Sequence, residues 1–280
     1  MKNEIMIMAA ALAMAASCTK NESPSAMTED SELTGKEICF VTEGLGVDVQ
    51  TKVAEVTMEN LESFNVAAVS AGSPETFAWS VVAHRSGNRY LTGKYWPVTN
   101  PTYRFYASNC GLTINEGVPC TVVDESMDAV CGAMTTPTFQ AETTTIVMRH
   151  IFSRIGSISI NSEQGYELSN ISIKLTEAHI GGKYNLKTYR WFDCTSQSNM
   201  ALQIGNNDIL VVPGTTAVEV RYTMTKGDYS YSFTSTSNVT LMEGKICDLN
   251  LTVTKDPAVP VRIAVSLAPW ESRQLPVTLQ

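Results

Sequence analysis

The sequence predicts an all-β protein built from two antiparallel β-sandwiches, and three observations carry that expectation. From residue 37 onward apolar residues recur with period two, the pattern of strands buried on one face. Turn-forming clusters interrupt these runs at short intervals. Helical periodicity is nearly absent, the exceptions being short turns near Met58 to Leu61 and Glu125 to Val130, so strands alternating with helices are excluded. At 280 residues, 44% apolar and 17% charged, the chain exceeds the roughly 100 to 200 residues of one domain. Two sandwiches, each burying the inner faces of two sheets, account for both the length and the alternation.

The opening segment, MKNEIMIMAAALAMAASC, has a Lys at position 2, an uncharged run from Ile5 to Ala16 and small residues ending on Cys18. This is the layout of a secretory signal. The run is too short for a mature membrane span, which takes about 20 residues. Ala15-Ala16-Ser17-Cys18 resembles the bacterial lipobox, although Ala15 stands where Leu is commonest and Glu4 interrupts the basic start. Residues 1–18 are therefore read as a lipoprotein signal peptide with Cys18 as the acylated residue; a plain signal peptide with an incidental Cys18 is the alternative. Residues 19–36 are rich in Ser, Thr, Glu and Asp and bury too little apolar surface to offset ordering entropy, so they form a polar tether. Their acidic character resembles the surface-export signals of Bacteroidetes lipoproteins.

The folded body begins with Glu37-Ile38-Cys39-Phe40-Val41, a short apolar strand set apart by the polar loop TEGLGVDVQTK. The first sandwich spans 37–150 and the second 151–280, since TTTIVMRH closes one run of strands and IFSRIGSISI opens the next with no Pro- or Gly-rich linker. In the second half the alternation is clearest at Ile171-Ile173-Leu175, Val218-Val220-Tyr222-Met224, Tyr229-Tyr231-Phe233, Leu249-Leu251-Val253 and Val261-Ile263-Val265-Leu267. Turns are expected at Gly181-Gly182, at 205–208, at 213–216 and at 226–229.

Nothing in the residues points to catalysis, a metal or a cofactor. His84, His150 and His179 are scattered, without a nucleophile or acid at motif spacing, and are read as structural or exposed. Asp124, Glu125 and Asp128 form the densest acidic patch but lack the spacing of a Ca²⁺ loop, so a solvated loop is expected. After Cys18, six cysteines remain; they permit disulfides in an oxidising compartment or serve equally as buried thiols. Tyr95, Trp96, Tyr103, Phe105 and Tyr106 suggest either core packing or a platform for sugar rings, with core packing favoured by the alternation. A net charge of −8 and the lack of a basic stripe exclude a nucleic-acid partner.

Several segments together resemble the fimbrillin family of Bacteroidales, the subunits and accessory proteins of type V pili. They are the lipoprotein start, LESFNVAA at 61–68, GKYWP at 93–97, YRFYAS at 103–108 and TIVMRHIFSRI at 145–155; then ILVVPGT at 209–215, LMEGKICDLNLTV at 241–253 and VRIAVSLAPWE at 261–271. The resemblance implies two tandem transthyretin-like antiparallel β-sandwiches. It also implies a mode of assembly, in which a protease removes the first strand of a lipidated precursor and an extended strand of another subunit fills the groove.

Carried onto this chain, the displaced strand is Ile38, Cys39, Phe40 and Val41, and processing falls at Lys52, where Thr51-Lys52 stands in place of the usual Thr-Arg. Burying three or four such side chains contributes on the order of 5 to 10 kcal/mol per junction before ordering costs. The implied function is that of a structural or accessory pilus subunit supporting adhesion, without enzyme activity, on the outer membrane and cell surface. Its implied partners are other pilin subunits in a homo- or hetero-polymer, the outer membrane through the lipid anchor, and a host or bacterial surface ligand. The other reading is a stand-alone surface lipoprotein that binds a glycan or a host protein.

Overall fold

Alternating side chains do organise the chain into strands. In the computed structural model, residues 35–45, 56–73, 76–99, 102–134, 137–254 and 260–270 are described. The signal segment 1–18 with Cys18, the tether up to residue 34, Lys52 and the tail after Trp270 lie outside the described residues. No α-helix occurs among the described residues, and the helix-like signal at Met58 to Leu61 is one turn in which Leu61 N donates to Thr57 O at 3.0 Å.

The first half contains β1 (Glu37–Glu43), β2 (Ser63–Ser70), β3 (Trp79–Ser86), β4 (Arg89–Tyr95), β5 (Tyr103–Ser108), β6 (Leu112–Asn115), β7 (Val118–Asp124), β8 (Val130–Met134) and β9 (Thr144–His150). Seven of these close a barrel in the order β1-β4-β3-β2-β5-β8-β9. In β9 the residues Thr144, Ile146, Met148 and His150 point inward while Thr145 and Val147 are exposed, the period-two rule in one strand. Inside the barrel Phe40, Phe64, Phe105, Trp96, Ile146 and Met148 are almost fully buried.

The second half contains β10 (Ser153–Ser162), β11 (Glu167–Asn185), β12 (Arg190–Leu202), β13 (Gly205–Val211), β14 (Gly214–Lys226), β15 (Tyr229–Leu241), β16 (Lys245–Val253) and β17 (Val261–Pro269). A four-stranded sheet, β13-β10-β16-β17, and a six-stranded sheet share a core that includes Ile155, Ile158, Leu175, Val218, Leu249 and Leu251. The large sheet runs β15-β14-β11-β7-β6 with β12 on the other side of β11. Thus the β6–β7 hairpin, from the first half of the chain, pairs with the end of β11 from the second.

The turn expected at Gly181-Gly182 does not form, because β11 continues through both residues. A Cβ on Gly181 would lie 2.5 Å from Val123 O, and one on Gly182 would lie 2.8 Å from Cys194 Cα, so the glycines admit β7 and β12 against β11 from its two sides. Likewise Gly205 to Asp208 are part of β13 and Gly214 opens β14, whereas Gly227-Asp228 is a turn as expected.

Asp128 departs from expectation as well. It is not solvated but 2% exposed, at the place where the two halves meet. His150 Nδ1 lies 3.0 and 2.9 Å from its two carboxylate oxygens, and Val56 N donates to it at 2.8 Å. His150 is stacked on Trp270, with ring centroids 4.5 Å apart and planes within 4°. The Arg154 guanidinium sits 5.5 Å over the same indole and is paired with Asp208. Removing one partner of a buried pair leaves the other uncompensated. Asp128→Ala takes the partner from both the His150 ring and the Val56 N–H and is expected to lower stability by about 1 to 3 kcal/mol, read as a lower urea midpoint, whereas an unchanged midpoint would show that these hydrogen bonds hold nothing together.

Candidate functional site

Of the histidines and acidic residues that suggested chemistry, His150 and Asp128 meet, as the buried pair described above. His84 and His179 are exposed and His150 is buried; His179 Nδ1 is 2.9 Å from Ser196 Oγ on an exposed surface. Among the described residues no group of three His, Cys, Asp or Glu side chains is placed to hold a metal ion. The six described cysteines are free thiols, five buried and Cys194 half-buried. Trp96 is 1% exposed and packs on Tyr103, Phe105 and Phe139 inside the barrel, while Tyr95 faces outward, so these two rings share no common face.

Strand β1 is the segment singled out from sequence, and its surroundings form a site. Ile38 and Phe40 are fully buried, Cys39 and Thr42 are nearly so, and Val41 is half-buried. The Phe40 ring meets Phe105 edge-on at 5.0 Å and Phe64 at 6.4 Å. Burial pushes the Cys39 thiol up in pKa, the charge of Glu37 adds to the shift, and Arg89 opposes it. A thiol so placed is protonated and acts as a small apolar side chain.

The backbone of β1 is divided between two neighbours. Its first part runs antiparallel to β4, with Glu37 opposite Tyr95, Cys39 opposite Leu91 and Phe40 opposite Tyr90. Its second part runs parallel to β9, from Phe40 opposite Thr144 to Glu43 opposite Val147. The register shifts between Glu37 and Cys39, and there Thr92 Oγ1 donates to Ile38 O at 2.7 Å. Gly93 N donates to Glu37 Oε1 at 2.9 Å, and Trp96 N to Lys36 O at 3.0 Å.

Two glycines bracket this strand at close backbone approaches. A Cβ on Gly35 would stand 2.1 Å from Trp96 O, and one on Gly44 would stand 2.5 Å from Met148 O, with Gly44 also at φ +91°. Beyond Gly44, Leu45 is buried in the barrel core, and the chain is next described at Val56, where Asp128 holds its N–H. The structure thus brings Ile38, Cys39, Phe40 and Val41 together between β4 and β9; Cys18 and Lys52 are outside the described residues. Sequence reasoning missed Gly35, Gly44 and Thr92. Two glycines flanking a lone apolar run were the available signal for the first two.

A family model described as fimbrillin-like matches residues 51–270. No match was found among curated proteins. Among solved structures, a protein of Parabacteroides distasonis assigned to cell adhesion is similar with a TM-score of 0.55 at 11% identity, over 85% of this chain and 98% of its own. A fimbrial assembly protein of the same species gives 0.46 at 10% identity, over 83% of this chain and 98% of its own. The fimbrial anchor protein Mfa2 of Porphyromonas gingivalis gives 0.40 at 12% identity, over 84% and 97%. At 11% identity the first of these likenesses is one of fold. The family model itself spans most of the chain, from Thr51 to Trp270, and the chain belongs to the fimbrillin-like family.

Proposed function

We infer that this protein is a structural or accessory subunit of a cell-surface pilus that supports adhesion and assembles by β-strand exchange. In this reading Cys18 is acylated and anchors the precursor to the outer membrane, and a protease cuts after Lys52. Strand β1 then leaves, and an extended strand of another pilin subunit takes its place between β4 and β9. The division at residues 150 and 151 separates two tandem transthyretin-like sandwiches. The repeated placement of the first strand supports that division: β1 lies between antiparallel β4 and parallel β9, and β10 between antiparallel β13 and parallel β16.

The observation that carries the assembly reading is the position of β1. It is the first described strand, it closes the barrel, and only the segment around Lys52 joins it to the rest. Its departure would leave two strand edges and an aromatic groove, the chemistry that strand addition requires. Val56 is fixed by Asp128, so a cut after Lys52 leaves the downstream chain anchored while β1 is released. The alternative of a stand-alone glycan-binding lipoprotein loses its sugar platform, because Trp96 is inside the barrel.

Cleavage within the 46–52 segment should convert the purified protein from monomer to a ladder of polymers on SDS gels of unheated samples. A Lys52→Ala variant should resist cleavage after Thr51-Lys52 and give no ladder. Monomer in both lanes for the wild type would rule out a stalk role. Gly44→Ala forces a side chain against Met148 O at a left-handed φ and should destabilise the uncut protein by about 1 to 3 kcal/mol. It should leave the cut protein, which has lost that residue with β1, unchanged in urea; equal effects on both would show that β1 stays in place.

A further inference from the structure

Sheet edges invite pairing with other chains, and proteins blunt them with charge, proline, bulges or shortness. Most free edges among the described residues follow that rule. Strand β6 has four residues, β12 carries left-handed bends at Asp193 and Asn199, β13 carries one at Asp208, and β17 bears Arg262 and ends on Pro269. Strand β15 follows none of it. Its thirteen residues, YSYSFTSTSNVTL, contain no charge, glycine or proline, have no left-handed residue, and pair with β14 without a register break.

The exposed part of β15 is also aromatic. Tyr229 is 69% exposed, Tyr231 52% and Phe233 37%, all on the face that farther along the strand turns Val239 and Leu241 into the core. We propose that β15 is a self-association edge, on which a second copy of this chain adds its own β15 antiparallel across a two-fold axis through Ser235. An isologous contact needs a strand that complements itself, and the order of side chains does so. About Ser235, Phe233 of one copy faces Ser237 of the other, Tyr231 faces Val239, and Tyr229 faces Leu241, so each ring meets a smaller side chain.

On the opposite face Ser230 meets Thr240, Ser232 meets Asn238 and Thr234 meets Thr236. Those hydroxyls already bond across to β14, at 3.1 Å for Thr225 and Ser230 and 3.3 Å for Thr223 and Ser232, and the pairing extends the same polar rows. No charge of either sign must be desolvated along the paired strands. Three rings of roughly 150 to 250 Å² each bury about 300 Å² per copy at these exposures. With the backbone edges added, the contact approaches the 1,000 Å² or so of a weak specific interface.

The test is sedimentation of the full, uncleaved chain over a concentration series, where exchange of β1 plays no part. The wild type should dimerise with a Kd on the order of 10 µM. A Ser232→Lys and Asn238→Lys double variant sets like charges opposite each other twice across the axis, and should dimerise at least tenfold more weakly; so should the matching Ser232→Glu and Asn238→Glu variant. Mixing the Lys and Glu variants should restore the dimer, a result that misfolding cannot imitate. A wild type that stays monomeric throughout, or dimers that ignore these substitutions, would overturn the proposal. Because the uncut chain is used, failure here leaves the strand-exchange reading standing, and failure of that reading leaves this one.

Discussion

Two sheet edges meet on one strand of seven residues, and the first half of the molecule depends on that meeting. A barrel is free of edges only when it is closed. Here closure passes through β1, whose front zips to β4 and whose back zips to β9, with Phe40 belonging to both ladders. The same Phe40 completes the aromatic core against Phe64 and Phe105. Backbone pairing and core packing are therefore carried by a single segment at the start of the body. This is the segment that, in the proposed assembly, one cut would release and a strand of another subunit would replace.

The second half is held differently. Strand β11, nineteen residues long, pairs with β14 near its start, with β7 near its end and with β12 along its other side. It draws a hairpin of the first half into a sheet of the second. Nearby, Asp128, His150, Trp270 and Arg154 bury charge and aromatic surface where β9 gives way to β10. Side chains from three separated stretches, at residue 128, at 150–154 and at 270, thus meet at the point where the two halves join.

Much of this was legible in the sequence because strand burial writes itself locally. Every second residue of β9, and of β16 from Cys247 on, is buried, and the isolated run at Ile38 to Val41 is a strand in the structure. What could not be read were distant approaches of backbone. Gly181-Gly182 resembles a turn in one dimension, but it is the gap through which β7 and β12 reach β11. Asp128 sits in a polar stretch that looks solvated, and only the fold brings His150 and the Val56 N–H to it. Nor does alternation reveal partners: the parallel pairing of β1 with β9 and of β10 with β16 joins segments about 100 residues apart.

The groove that β1 fills is the centre of this account, and it is reached most directly by adding the strand back. A labelled peptide of residues 36–45 would be titrated against the uncut protein and against protein cut after Lys52 and freed of its first segment. The account predicts saturable one-to-one binding to the cut protein and none to the uncut one, with Phe40→Ala in the peptide abolishing it. Equal binding to both, or binding to neither, would contradict the claim that β1 is a replaceable strand.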